Sequence, residues 1–297
     1  MNGNIKFVGY LFLNKRIEGS ELITQTINDM ITYSYHMDKL YIFNYHKFTQ
    51  TALLEAIQSY KNIEYVDLKS YGQVKNYKNA IEHAITQNAD YATILELGYY
   101  YEDNSYLDIR RRIMLGEFSK DDAVITPMPI YTCEEKKQSQ DLKRNIKGAH
   151  LTGAFINLHI YKETPGFFEP YYQTTFDYDY CLTVRKMGYN VVLMNNNILR
   201  NRNYRPLYKK VIWHVYEAYA RNIYDVYYET RNRLYLWEKF KDFDKEYIKI
   251  DKKQQTLEFK EMRLFEKNFR EKKQIINQAK LDYRLNKMGK AFEEIEF

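Results

Sequence analysis

The first hundred residues alternate between two hydrophobic periods, and that alternation limits the available folds more than any other feature. "IKFVGYLFL", "KLYIFNY", "IEYVDL" and "YATILEL" are apolar runs of strand length. "SELITQTINDMITYSYHM", "TALLEAIQSY" and "YKNAIEHAITQN" lie between them and carry helical spacing. Strands that alternate with helices imply a parallel sheet with helices on both faces. Such sheets bind ligands outside the carboxyl ends of their strands. A site is therefore expected around residues 44–46, 69–72 and 96–101.

The pattern changes near residue 122. "DAVITPMPI" and "HLTGAFINLHIY" are expected strands without a long helix between them, joined by a polar, mobile loop, "EEKKQSQDLKRNIKG". A short helix and a strand follow in "FDYDYCLTVRKMGYNVV", and a helical run rich in Tyr and Trp is expected over 207–240. Residues 241–297 hold 15 Lys and Arg against 12 Asp and Glu. There Met262, Phe265, Phe269, Ile276, Ala279 and Tyr283 repeat at a 3–4 spacing, with Lys272 in one slot, as on a helix with one apolar stripe. Three readings fit a stripe over 255–285: docking on the parent domain, self-association, and lying on an anionic membrane surface. The expected division is a main domain over 1–240 and a basic amphipathic extension over 241–297. The main domain itself divides into 1–121, 122–206 and 207–240.

Composition excludes several classes. Cys133 and Cys181 are far apart and form no CxxC, which fits a reducing compartment without structural zinc. "MNGNIKFVGYLFLNKR" lacks the features of a signal peptide, and no apolar run reaches the ~20 residues of a membrane helix. A cytoplasmic protein is expected. The net charge of +6 is modest, and acids interleave with the bases of the C-terminal third, so nucleic acid is not the expected partner. The 31 tyrosines fit an AT-rich genome as well as they fit stacking on sugars.

Asp177 and Asp179 stand where a helix begins. Acids there are stabilised by free N–H groups and the helix dipole, and the same pair could bind a cation or supply a general base. His36, His46, His83, His150, His159 and His214 show no HExxH or paired spacing, and surface or core positions are their default. His46 alone falls at a strand end. Gly72 is read as a turn glycine.

The stretch from 150 to 199 resembles the acceptor half of bacterial family 2 inverting glycosyltransferases, in their rhamnosyltransferase-like branch. Thr152 and Gly153 match that branch's small pair at a strand end, and Gly166 to Glu169 its "G-F-F-x" segment. Asp177, the run Asp179, Tyr180, Cys181 and Leu182, and the pair Gly188 and Tyr189 follow in register. "YYETRNRLYL" is similar to the branch's aromatic "R-N-R" helix, and "KLDYRLNKMGK" to its terminal glycine signature. The resemblance covers nearly the whole chain and is specific from about 148 to 200. It implies a GT-A fold, an α/β nucleotide-binding mixed sheet flanked by helices. It also implies Asp177 as the base that takes the acceptor proton in a single inverting displacement, with Asp179 beside it.

The departures concern the donor side. Where the family holds a divalent metal with Asp-x-Asp, this chain has Glu96, Leu97 and Gly98. A further ligand position reads Arg200 and Asn201. The family's base-reading segment after the second strand has become Phe43, Asn44, Tyr45 and His46. Two explanations follow. Either the diphosphate is neutralised by Arg144, Lys147, Arg200 and Arg202, or the donor site has decayed and the chain is a binding or scaffolding subunit. Glu96 is the one retained candidate ligand for Mg or Mn. The resemblance implies a nucleotide-sugar donor, dTDP-rhamnose or a UDP-sugar. It also implies a saccharide or lipid-linked saccharide acceptor at the inner membrane face.

Overall fold

All seven residues of β1, Phe7–Leu13, are buried. Phe7, Leu11 and Leu13 pack with α1 (Ser20–His36), α2 (Thr51–Ile57) and α4 (Ser105–Met114). Val8, Tyr10 and Phe12 face the opposite way, toward α3 (Gln73–Thr86) and α6 (Phe176–Lys186). A strand covered on both faces needs an apolar residue at every position, which is why the run is unbroken. β2 (Lys39–Asn44), β3 (Ile63–Asp67) and β4 (Tyr91–Glu96) complete a parallel block in the order β3-β2-β1-β4. The computed structural model describes residues 5–14, 17, 19–46, 51–130, 140–203, 206–211, 213–219 and 221–292.

Beyond β4 the sheet becomes mixed. β8 (Phe155–Asn157) runs antiparallel to both β4 and β6 (Asp122–Ile130), while β9 (Asn190–Asn201) is parallel to β6. β5 (Tyr99–Tyr101) and β7 (Lys143–Asn145) add antiparallel to β9. The polar loop expected over 134–148 is thus strand at 143–145; its first part and Cys133 lie outside the described residues. The strand expected over 150–161 stops early because Asn157 caps α5 (Leu158–Glu163), its side chain accepting from the His159 and Ile160 N–H groups.

The helix expected over 207–240 begins only at Ile223. A hairpin, β10 (Pro206–Val211) with β11 (His214–Tyr219), occupies the preceding stretch, whose β-branched and aromatic residues favour strand. Asn222 caps α7 (Ile223–Phe240) by accepting from the Asp225 N–H at 2.7 Å.

The C-terminal stripe is not one helix but two, α8 (Lys245–Phe265) and α9 (Phe269–Arg284). Met262 and Ile276 pack on Val226 of α7, and Ala279 on Tyr227 and Tyr228. The stripe therefore docks on its own chain. Lys272 is buried in it, held by Glu266 and the Arg221 carbonyl. No described helix is long and apolar enough to cross a membrane.

Candidate active site

A cavity of about 580 Å³ opens beyond the carboxyl end of β4. Glu96, the last residue of that strand, meets it beside Thr152, which bridges to Ile94 of the same strand. Gln73 and Tyr77 enter from α3 and Asp177 from the first turn of α6. Helices α7 and α8 close the opposite wall. Glu229, Arg233 and Leu236 lie four and three residues apart on α7, and Tyr247, Asp251, Gln254 and Glu258 repeat the spacing on α8. Each set shares one helix face, and that face turns to the cavity.

Asp177 is buried, and its two oxygens have separate partners. Oδ1 accepts from the Tyr178 N–H at 2.9 Å, and Oδ2 lies 2.6 Å from Nδ1 of His150. The carboxylate side chain is 8% exposed and the imidazole 58% exposed. His150 thus stands between the carboxylate and the open cleft. Burial among the cleft walls pulls its pKa down, but the Asp177 charge and hydrogen bond outweigh this and leave it raised above 6.5. Nothing in the histidine spacing marked His150, although it sits two residues before Thr152.

Asp179 takes a structural position instead. Its carboxylate, 2% exposed, binds Lys239 Nζ at 2.6 and 2.9 Å and accepts from the Tyr171 hydroxyl at 2.9 Å. It ties α6 to α7 and to the single 3₁₀ turn Glu169–Tyr171. Between these anchors Tyr172, Thr174 and Thr175 all hold positive φ, 65°, 54° and 65°. Each such residue costs of order 1–3 kcal/mol unless its surroundings enforce it. The enforcement comes from α7. Asn232 Nδ2 donates to the carbonyls of Tyr171 and Gln173 at 3.1 and 2.6 Å, and Arg231 Nη2 donates to that of Tyr171 at 3.2 Å. Arg231 and Asn232, both buried, hold the turn that delivers Asp177. Arg233, two residues on and so across the helix from Arg231, reaches the cleft.

The donor-side residues do not suit a divalent ion. Glu96 is already engaged by Gln73 Nε2 at 2.8 Å and by the Tyr77 hydroxyl at 3.0 Å. Gly98 has φ of 94°, and a Cβ there would fall 2.1 Å from the Asn203 amide, so an acid in its place is strained. Among the described residues no group of three His, Cys, Asp or Glu is arranged to hold a metal.

The four cations expected near a diphosphate are placed elsewhere. Lys147 pairs with Asp244 and Glu246, and Arg200 with Glu102. Arg202 pairs with Asp29 and lies 3.7 Å over the Tyr100 ring. Arg144 is exposed on β7 and lines a second cavity of about 400 Å³. Arg221 and Arg233, which no motif in the sequence marks, are the guanidiniums that line the first cavity. Arg221 bonds Glu229 at 2.7 Å and Glu258 at 3.0 Å, while Arg233 bonds Glu258 and lies 3.5 Å from Asp251. Burial pushes the Glu258 carboxyl up, but the Arg233 and Arg221 guanidiniums overcome this and hold it at about 2. Burial raises Glu229, and it raises Asp225, together with the Glu229 charge, to about 6.

The remaining expected positions are dispersed. Asn44 binds Asp67 at 2.7 Å and the His46 backbone, forming a latch between the ends of β2 and β3. Gly72 starts α3 with φ of 97°, and a Cβ would strike the Tyr172 ring at 2.6 Å. Thr152 Oγ1 meets the Tyr77 hydroxyl at 2.8 Å, and the Gly153 N–H donates to the Ile94 carbonyl at 2.7 Å. His36, His83 and His159 lie against Tyr106, Tyr10 and Asp90, outside the cleft. The His214 side chain lies outside the described residues.

No family model and no curated protein matches the sequence. Among solved structures, a crystal structure of GalNAc-T7 with UDP, GalNAc and Mn²⁺ is similar at a TM-score of 0.57 and 11% identity. The likeness covers 82% of this chain and 50% of that one, so the chain spans half the length of that relative. The crystal structure of S. aureus TarS 1-349 in complex with UDP-GlcNAc matches at a TM-score of 0.47 and 12% identity, over 95% of this chain and 73% of that one. The mixed sheet, its flanking helices and the first of these likenesses define a GT-A fold.

Proposed function

We propose that the chain is a glycosyltransferase that moves a sugar from a nucleotide-diphosphate donor to a saccharide acceptor with inversion. One observation carries this reading: Glu96 and Asp177, 81 positions apart, face one cavity at the carboxyl end of a central strand in a GT-A fold. The Asp177 carboxylate drives removal of the acceptor proton, and the acceptor oxygen displaces the nucleoside diphosphate. The likeness to GalNAc-T7, whose crystal structure holds UDP and Mn²⁺, supports a nucleotide donor. dTDP-rhamnose and UDP-sugars are the donors to test.

No metal-dependent step follows from these residues. The family's metal supplies charge neutralisation to the departing diphosphate, and here Arg221 and Arg233 are the groups placed to do so. The cavity lining has five carboxylates against those two guanidiniums, so charge opposes an anionic donor. Protonation of Glu229 relieves the opposition, because burial raises its pKa. Donor affinity therefore rises as pH falls.

Leu257 and Leu264 on α8, Leu281 on α9 and Leu285 just after it stay exposed among basic residues, which suits an anionic membrane carrying a lipid-linked acceptor. Calorimetry with UDP and dTDP tests the donor site, followed by turnover of their sugars with and without EDTA. Binding and EDTA-resistant turnover are expected. Neither binding nor turnover with any nucleotide sugar would leave the chain as a scaffolding subunit.

A further inference from the structure

We propose that His150, oriented by Asp177, is the group that receives the acceptor proton. The inference rests on the glycosyl-transfer reading and deepens it, because the resemblance assigns this step to the carboxylate directly. Three observations carry it. Asp177 is 8% exposed and its Oδ2 is occupied by His150 Nδ1 at 2.6 Å, whereas the imidazole is 58% exposed to the cleft. An ionised carboxylate can only accept, so Nδ1 carries the proton of a neutral ring and Nε2 keeps its lone pair. Among the described residues Nε2 has no partner. Finally, His150 lines both the 580 Å³ cavity that contains Glu96 and the adjoining 400 Å³ cavity. It therefore stands at the junction where a second substrate would meet the donor.

The second cavity has the character of an acceptor site. Pro127, Met128, Pro129 and Leu193 give it an apolar floor, and Tyr99 and Tyr178 stand at the border with the first cavity. Aromatic rings beside an apolar floor suit the carbon face of a sugar ring. The acceptor hydroxyl would reach the anomeric carbon past His150. The acceptor oxygen forms its bond to that carbon as the carbon–phosphate oxygen bond breaks, and the electron pair leaves with the nucleoside diphosphate. The hydroxyl proton goes to Nε2. The resulting imidazolium is held by Asp177, which keeps its charge, and then loses the proton to solvent.

The groups around the ring set its titration. Asp177 and Tyr178 face it from α6, Glu96 from β4, Glu229 and Arg233 from α7, Tyr247 from α8, and Tyr99 and Arg144 across the second cavity. The carboxylates favour the charged ring, so its pKa lies above 6.5. The base is the neutral form, so activity is lost as pH falls through that raised value.

The test combines kinetics with a titration that needs no turnover. His150→Gln should lower kcat by about 10²–10⁴ and leave UDP affinity by calorimetry within about twofold. In the wild type the acid limb of the kcat/KM profile should lie above 6.5. NMR titration of the His150 ring in the wild type and in Asp177→Asn should show the pKa falling in the variant. His150→Gln with more than a third of wild-type kcat, or an acid limb in the carboxylate range near 4–5, overturns the proposal and returns the proton to Asp177. Nucleotide binding with these results separates that failure from failure of the glycosyltransferase reading. In the latter case the wild type binds and transfers nothing, and the role of His150 falls with it.

Discussion

Asp177 and Asp179 lie two residues apart on one helical turn, and their surroundings give them opposite duties. Asp179 faces inward, where Lys239 and the Tyr171 hydroxyl occupy its oxygens. Asp177 faces the cleft through His150. Two residues is about 200° around a helix, so acids at this spacing cannot serve the same surface. The lesson is that a local acid pair is a statement about two faces, and each must be judged by what its own face meets.

The first way to break this contrast is to exchange both acids for amides. Asp177→Asn should lower kcat about 10²–10⁴-fold with UDP affinity nearly unchanged. Asp179→Asn should instead lower thermal stability, by about 1–3 kcal/mol, because one buried acceptor oxygen becomes an amide donor facing the Lys239 and Tyr171 donors. Chemical denaturation together with steady-state kinetics reads both. Equal activity losses without a stability difference would abolish the distinction.

The wall facing these acids supplies the next test. Glu258→Ala leaves Arg221 and Arg233 without their shared carboxylate, and removing one partner of a buried pair costs about 3–5 kcal/mol. The same group gives a pH signature. Its folded pKa of about 2 lies below its ordinary 4.5, so its stabilisation is present above 4.5 and lost as pH falls from there through about 2. Melting temperature against pH should show this loss in the wild type and a smaller one in Glu258→Ala.

Asn232→Ala sharpens the account of the strained turn. It frees the Gln173 carbonyl and leaves the Tyr171 carbonyl to the Arg231 side chain, at about 1–3 kcal/mol, and should lower kcat by loosening the delivery of Asp177. The smallest effect is expected at His46, which lies outside the cleft. His46→Ala should change stability by less than about 0.5 kcal/mol and leave turnover within twofold.

Much of the N-terminal α/β half was legible in the sequence because strands buried on both faces leave unbroken apolar runs. β8 was misjudged because it has three residues, too few to show a period, and because Asn157 ends it by capping α5. The hairpin over 206–219 reads as helix in the sequence because its aromatic, polar-spaced stretch satisfies either period over so short a length. The cleft lining was legible only where one segment carries it, as with Asp177 and Thr152. Its far wall was not. Glu229, Arg233 and Leu236 on α7, and Asp251, Gln254 and Glu258 on α8, repeat at 3–4 spacing, but their relevance depends on the two helices folding back over residues far earlier in the chain. His150 was hidden for a related reason, since its partner lies 27 positions away. Gly98 stands where the resemblance expects a second acid, and the turn there accommodates only glycine without strain.

The most direct measurement is ¹H NMR of a transfer reaction run in EDTA with an α-linked nucleotide sugar and a saccharide acceptor. A β-linked product formed from the wild type, and absent with Asp177→Asn, is the expected result. An α-linked product, or transfer that appears only when Mn²⁺ or Mg²⁺ is restored, would contradict it.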